Sequence, residues 1–183
     1  MAIPIKQIKE GCCDSDLNSL CLSIIDGDAL DKVNPTCDKI VECRDKYVLV
    51  EEKSLLLGFF MRCCQELHKN LETYKYDNSG VTYLKISDVI TLIHTLDVNV
   101  KERILAENTT HLLNSSLNKV SHTTHILATR FNSNKTANMP IFYLYCNSGK
   151  PIDRIMSAWL SRNNKKQVFI ECTDLKSYLQ RCC

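Results

Sequence analysis

The feature that most constrains this fold is an apolar stripe at helical spacing within residues 51–74. Leu55, Leu56, Phe59, Phe60, Cys63, Leu67, Leu71 and Tyr74 recur at steps of mostly three and four, the period that gathers side chains on one helix face. Such a face must be covered, and each Leu or Phe it buries contributes roughly 1.5–3 kcal/mol. The spacing predicts a core helix over 51–74. Gly58 inside it costs about 1 kcal/mol relative to Ala, which fits the close approach of a second helix.

The flanking segments read as helices too. Asp14 or Ser15 caps one carrying Leu17, Leu20, Cys21, Ile24 and Ile25, with Gly27 as its stop. Asn34-Pro35 opens the next, because proline suits the first helical position, and it presents Cys37, Ile40, Val41 and Val48. Its end competes with the strand propensity of Tyr47-Val48-Leu49-Val50. Asp26-Gly27-Asp28 and Glu51-Glu52 read as helix-end charges, the former lacking calcium-loop spacing. Asp77-Asn78-Ser79-Gly80 is a turn, residues 81–86 extend, and Ser87 caps a helix with Val89, Ile90, Ile93 and Leu96. Asn99 and Glu102 form a capping box opening a long helix, whose Asn, Ser and Thr content predicts a break near Ser121.

Residues 131–138 are polar and loop-like, and the character then changes. Residues 141–146 read as a buried strand and 151–162 as a helix with Ile152, Ile155, Met156 and Trp159 on one face. A second strand at 168–172 and a final helix capped by Thr173 or Asp174 complete a β-α-β-α element. Its strands pair in parallel through a right-handed crossover, and two strands alone are unstable, so the element must pack on the rest. The predicted class is mainly α within α+β: a helical bundle or HEAT-like helical core over about 1–130, with the small β-α-β-α element over about 139–183. Length and ordinary composition fit a single domain spanning 1–183, and only five Gly and four Pro argue against an all-β fold.

Eleven cysteines include three adjacent pairs, Cys12-Cys13, Cys63-Cys64 and Cys182-Cys183. Neighbouring side chains diverge on a trans backbone, and an odd count strands one thiol, so no disulfides are expected. The thiols read as small buried hydrophobes in a reducing, intracellular setting, cytoplasm or nucleus. No Cys-x-x-Cys occurs. His122 and His125, with His111 upstream, leave a zinc site incomplete, so no metal or cofactor is expected. Cys182-Cys183 resembles the doubly prenylated end of Rab-type small GTPases, which implies lipidation of Cys182 and Cys183. No phosphate-binding loop accompanies it, and Ser148-Gly149-Lys150-Pro151 has the wrong spacing.

Neither a secretory leader nor a bilayer-length apolar run is visible, so a membrane enters only through lipidation. Three glycosylation sequons, at Asn108, Asn114 and Asn134, fit chance in an Asn/Thr-rich stretch. A formal net charge of +2 gives no electrostatic reason for nucleic-acid binding, and the cluster of Arg162, Lys165 and Lys166 is a solvated helix end. Cys146 follows a predicted strand, yet none of His68, His94, His111, His122 and His125 is selected as its partner, so no catalytic residue is assigned. The expectation is a non-enzymatic protein-interaction module or subunit of a multiprotein complex, binding another protein through Tyr143, Tyr145 and Trp159. The rivals are a cysteine-dependent enzyme and a lipid-anchored peripheral protein.

Overall fold

The computed structural model describes residues 2–5, 17–20, 22–53, 55–131, 135–138, 141–143 and 175–183. Along the chain these give strands β1 Ile3–Pro4, β2 Ser23–Asp26, β3 Lys39–Glu42, β4 Lys46–Lys53, β5 Lys75–Asn78, β6 Val81–Leu84, β7 Thr136–Asn138 and β8 Ile141–Tyr143. The helices are α1 Gly27–Leu30, α2 Leu55–Glu66, α3 Ile86–His94, α4 Val98–Arg130 and α5 Leu175–Cys182, with 3-10 turns at Leu17–Leu20 and Leu71–Tyr74. The chain divides into two compact units. Unit 1 takes the described residues of 1–11 and 54–110, and unit 2 those of 12–53, 111–143 and 166–183.

In unit 1, α2 packs on α3 beside a three-stranded antiparallel sheet of order β1-β6-β5. The β5–β6 hairpin turns at Ser79-Gly80, both with positive φ, as a two-residue turn matching strand twist requires. The stripe read from sequence is buried here: Leu56, Phe59, Phe60, Cys63 and Leu71 are all in the core. Its helix is shorter than 51–74, since residues 51–53 belong to β4 and α2 ends at Glu66 before a turn in which His68 has φ 53°. A Cβ on Gly58 would meet the Asn108 amide of α4 at 2.7 Å, so the glycine admits that buried side chain.

Unit 2 is built on a mixed sheet of order β2-β3-β4-β7, with β8 also pairing β4. The β2–β3 and β3–β4 pairs are antiparallel, and β7 and β8 run parallel to β4 along its other edge. Parallel pairing requires a crossover, and the chain between β4 and β7 includes α4. Ile40, Tyr47 and Leu49 from the sheet cluster with Leu30 and Cys37 against Ile126 and Leu127 of α4.

This overturns the helical-bundle or HEAT-like class: the protein is mixed α+β, and sheet replaces helix through most of residues 23–53. The helix expected over Cys37, Ile40, Val41 and Val48 is the β3–β4 hairpin, closed by Cys43 N–H donating to the Lys46 carbonyl at 2.9 Å. Short apolar runs fit either period, and β-branched residues packed between two neighbouring strands settle the outcome. The helix expected over Leu17 to Ile25 is likewise a 3-10 turn followed by β2.

The long helix α4 does not break near Ser121. Its hydroxyls bond back within the helix, Thr109 to the Leu105 carbonyl at 2.8 Å and Thr123 to that of Lys119 at 2.7 Å, so they do not compete for another backbone conformation. Asp97, not Asn99, accepts the first-turn amide, from Asn99 N–H at 2.8 Å. In the tail, β8 and α5 match the expected strand and final helix, although β8 pairs with β4, while 151–162 and 168–172 lie outside the described residues. No described helix is long and apolar enough to cross a membrane.

Candidate functional site

Among the described residues, a charged cluster is built into the core of unit 2, where the sheet meets α4. Strand β4 is buried throughout its middle, from Tyr47 to Val50, and then presents Glu51, which is 0% exposed. Alternation along the strand puts Glu51 on the face of Tyr47 and Leu49, the face that packs on α4. Pairing of Lys39 with Val50 sets Asp38, one residue earlier, across from Glu51. The Glu52 N–H donates to Asp38 Oδ2 at 2.7 Å and fixes that carboxylate against β4.

Both carboxylates meet one ammonium. Lys119 Nζ of α4 lies 2.8 Å from Glu51 Oε1 and 3.1 Å from Asp38 Oδ1. Burial works against its charge, but hydrogen bonding to Glu51 and the charges of Asp38 and Glu51 prevail, and the Lys119 pKa is raised. Lys119 is therefore a fixed cation at neutral pH and no general base. One turn further along α4, Thr123 accepts from the Cys37 N–H at 2.9 Å and holds the segment leading into β3. A Cβ on Gly27 would lie 1.7 Å from the Cys37 carbonyl oxygen, and its N–H donates to the Asp38 carbonyl at 3.0 Å. Only glycine allows that approach.

Two further polar pairs lie in unit 2. Lys39 Nζ donates to Glu52 at 2.6 Å, and His122 Nε2 is 2.9 Å from Asp31 Oδ2. The Val33 N–H, then Asn34 and His122, hold the Asp31 carboxyl well below the usual carboxylate range. Unit 1 carries a different concavity, an open groove of about 400 Å³ lined by Arg62, Gln65, Glu66, His68, Ile104 and Glu107. Its two carboxylates are already engaged, since Arg103 bridges Glu66 at 2.8 Å and Glu107 at 3.1 Å.

The residues singled out from sequence fall elsewhere. Tyr143 ends β8, whereas Tyr145, Trp159 and Cys146 lie outside the described residues. Cys182 is a half-buried free thiol, and Cys183 is bonded to Cys43, which corrects the expectation of no disulfides: the hairpin turn brings Cys43 to the end of α5. Cys37, Cys63 and Cys64 are buried as expected. Burial pushes the first two thiols up to about 11 and about 12 and raises the third, so none is a nucleophile at neutral pH. Asn108 is buried, which removes one sequon from modification in the folded chain. Among the described residues no three His, Cys, Asp or Glu side chains converge as metal ligands.

Glu51 was read as a helix-end charge, and Asp38 and Lys119 were not singled out at all. The available signal was Glu51 itself, a carboxylate directly continuing the apolar run Tyr47-Val48-Leu49-Val50. Comparison with family models, with curated proteins and with solved structures finds no match to this chain.

Proposed function

We propose that unit 2 holds a divalent cation between Asp38 and Glu51 and uses it to act on a phosphate-bearing substrate. The observation that carries this reading is a fully buried Glu51 set across from Asp38, with both carboxylates turned on one positive charge. A carboxylate in a fully buried strand is costly and needs a positive charge beside it, which the Lys119 ammonium supplies and which, in this reading, a metal ion would take over. Oxygen-only ligands suit magnesium or manganese, and magnesium is commonly held by one or two carboxylates, its other positions going to water and substrate phosphate. A cation held there would supply Lewis-acid polarisation of a phosphoryl oxygen and of a bound water. Lys119, on a long stem with a side chain 21% exposed, would then be free to pair with that phosphate.

Isothermal titration with magnesium and with manganese tests this. Saturable binding with a dissociation constant below about 1 mM, lost in Asp38→Asn and in Glu51→Gln, is expected. The same two variants should abolish manganese-dependent cleavage of phosphate mono- or diesters. Absent binding, or binding unchanged in either variant, sinks the proposal and leaves Asp38, Lys119 and Glu51 a structural ion cluster.

A second reading keeps the chain as a protein-interaction module. It is favoured by β5, the outer strand of its sheet, where exposed Tyr76 stacks on Tyr83 at 5.5 Å and Lys85 lies 5.8 Å from the Tyr76 ring. An outer strand accepts an added strand from a partner. Native pull-down that recovers a stoichiometric partner, lost when Tyr76 and Val81 are changed to Lys, supports it; a lone monomer counts against it.

A further inference from the structure

We propose that Cys183 is a site of reversible exchange with small-molecule thiols and disulfides of the glutathione class, opening and closing a clasp to Cys43. This inference is independent of the cation site. The clasp joins the turn of the β3–β4 hairpin to the residue after α5, 140 positions along the chain. Helix α5 is otherwise seated in unit 2 by Leu175 and Leu179, both buried, so opening frees its last turn without exposing that apolar face.

The two neighbouring thiols are sorted into different roles. Cys182 is hydrogen-bonded to Tyr178 one turn earlier on α5, while Cys183 lies past the helix end and reaches the hairpin. Access is one-sided, because Cys43 is 3% exposed and Cys183 is exposed. An incoming thiolate therefore attacks the Cys183 Sγ. The Cys43–Cys183 bond breaks, Cys43 leaves as a thiolate that takes up a proton, and a mixed disulfide forms on Cys183. A second small thiolate attacks that mixed disulfide, releasing the small-molecule disulfide and the Cys183 thiolate, so two electrons pass to the protein. Closure runs in reverse, with the oxidised small molecule accepting them. Among the described residues Cys37, Cys63 and Cys64 are buried and take no part in the exchange.

The test equilibrates the full chain with graded ratios of oxidised to reduced glutathione, starting separately from fully oxidised and fully reduced protein. Acid quenching, alkylation and peptide mass spectrometry then count the Cys43–Cys183 link. The expected result is one midpoint reached from both directions, with Cys37, Cys63 and Cys64 unmodified throughout. Cys43→Ser and Cys183→Ser lose the link and Cys182→Ser retains it. A link absent at every ratio, one that yields to reductant only after denaturation, or one transferred to Cys182 overturns the proposal. The wild-type titration decides even where a variant fails to fold.

Discussion

In unit 1 the core around α2 is closed by Phe59, Phe60, Cys63 and Cys64, whereas in unit 2 the face of α4 that meets the sheet carries Lys119 and Thr123 among Val120, Ile126 and Leu127. The thiols of unit 1 behave as small hydrophobes, so what matters there is that the side chain is apolar and of the right volume. The charges of unit 2 hold one another in place, so each is tolerable only while the others remain. The two cores therefore differ in how they fail. One loses stability in proportion to the atoms removed, and the other fails when one partner goes.

The sharpest way to break this comparison is Lys119→Met. It removes the cation that Glu51 and Asp38 share, and a loss of about 3–5 kcal/mol is expected in urea unfolding. Adding Glu51→Leu and Asp38→Asn to the same chain should recover most of that loss, because the buried charge goes with its partner. If the single variant costs no more than an exposed ion pair, the cluster is solvated and the contrast with unit 1 disappears.

Smaller effects probe unit 1. Gly58→Ala puts a Cβ 2.7 Å from the buried Asn108 amide, and a destabilisation of roughly 1–3 kcal/mol follows if Asn108 cannot move aside. Cys63→Ser leaves the volume nearly unchanged but buries a hydroxyl, at a cost of roughly 1–3 kcal/mol, and Cys63→Ala should cost less than Cys63→Ser. A larger cost for Cys63→Ala than for Cys63→Ser would show that volume, not polarity, governs this site.

The smallest effect is a pH dependence. Asp31 titrates below its ordinary value of 3.8 in the folded chain, so the folded state favours the carboxylate. Its contribution is complete above that ordinary value and is lost as the pH falls through the folded-state one. Asp31→Asn should therefore flatten the acid limb of stability against pH while leaving the neutral plateau lower. An unchanged acid limb would mean that the Val33 and Asn34 amides and His122 do not favour the charged form.

Much of the local structure was legible in the residues themselves. The apolar stripe of Leu56, Phe59, Phe60 and Cys63 marks α2, and Asn78-Ser79-Gly80 marks the hairpin turn, because each depends on neighbours within one helical turn or one tight turn. The site was much less legible. Glu51 stood out only as a carboxylate joined to an apolar run, and Lys119 looked like any surface lysine on a polar helix.

By itself, then, the sequence determined the hairpin turn at Ser79-Gly80, which helix face is apolar around α2, and that most of the described thiols would be buried. Tertiary structure alone decided that residues 39–53 pair as strands and that β4 has parallel neighbours. It also decided that Lys119 meets Asp38, 81 positions away, and that Cys43 meets Cys183, 140 positions away. The physical reason is register. A one-residue slip of β3 against β4 would turn Glu51 or Asp38 to the opposite face, and which register wins depends on what the whole sheet buries against α4.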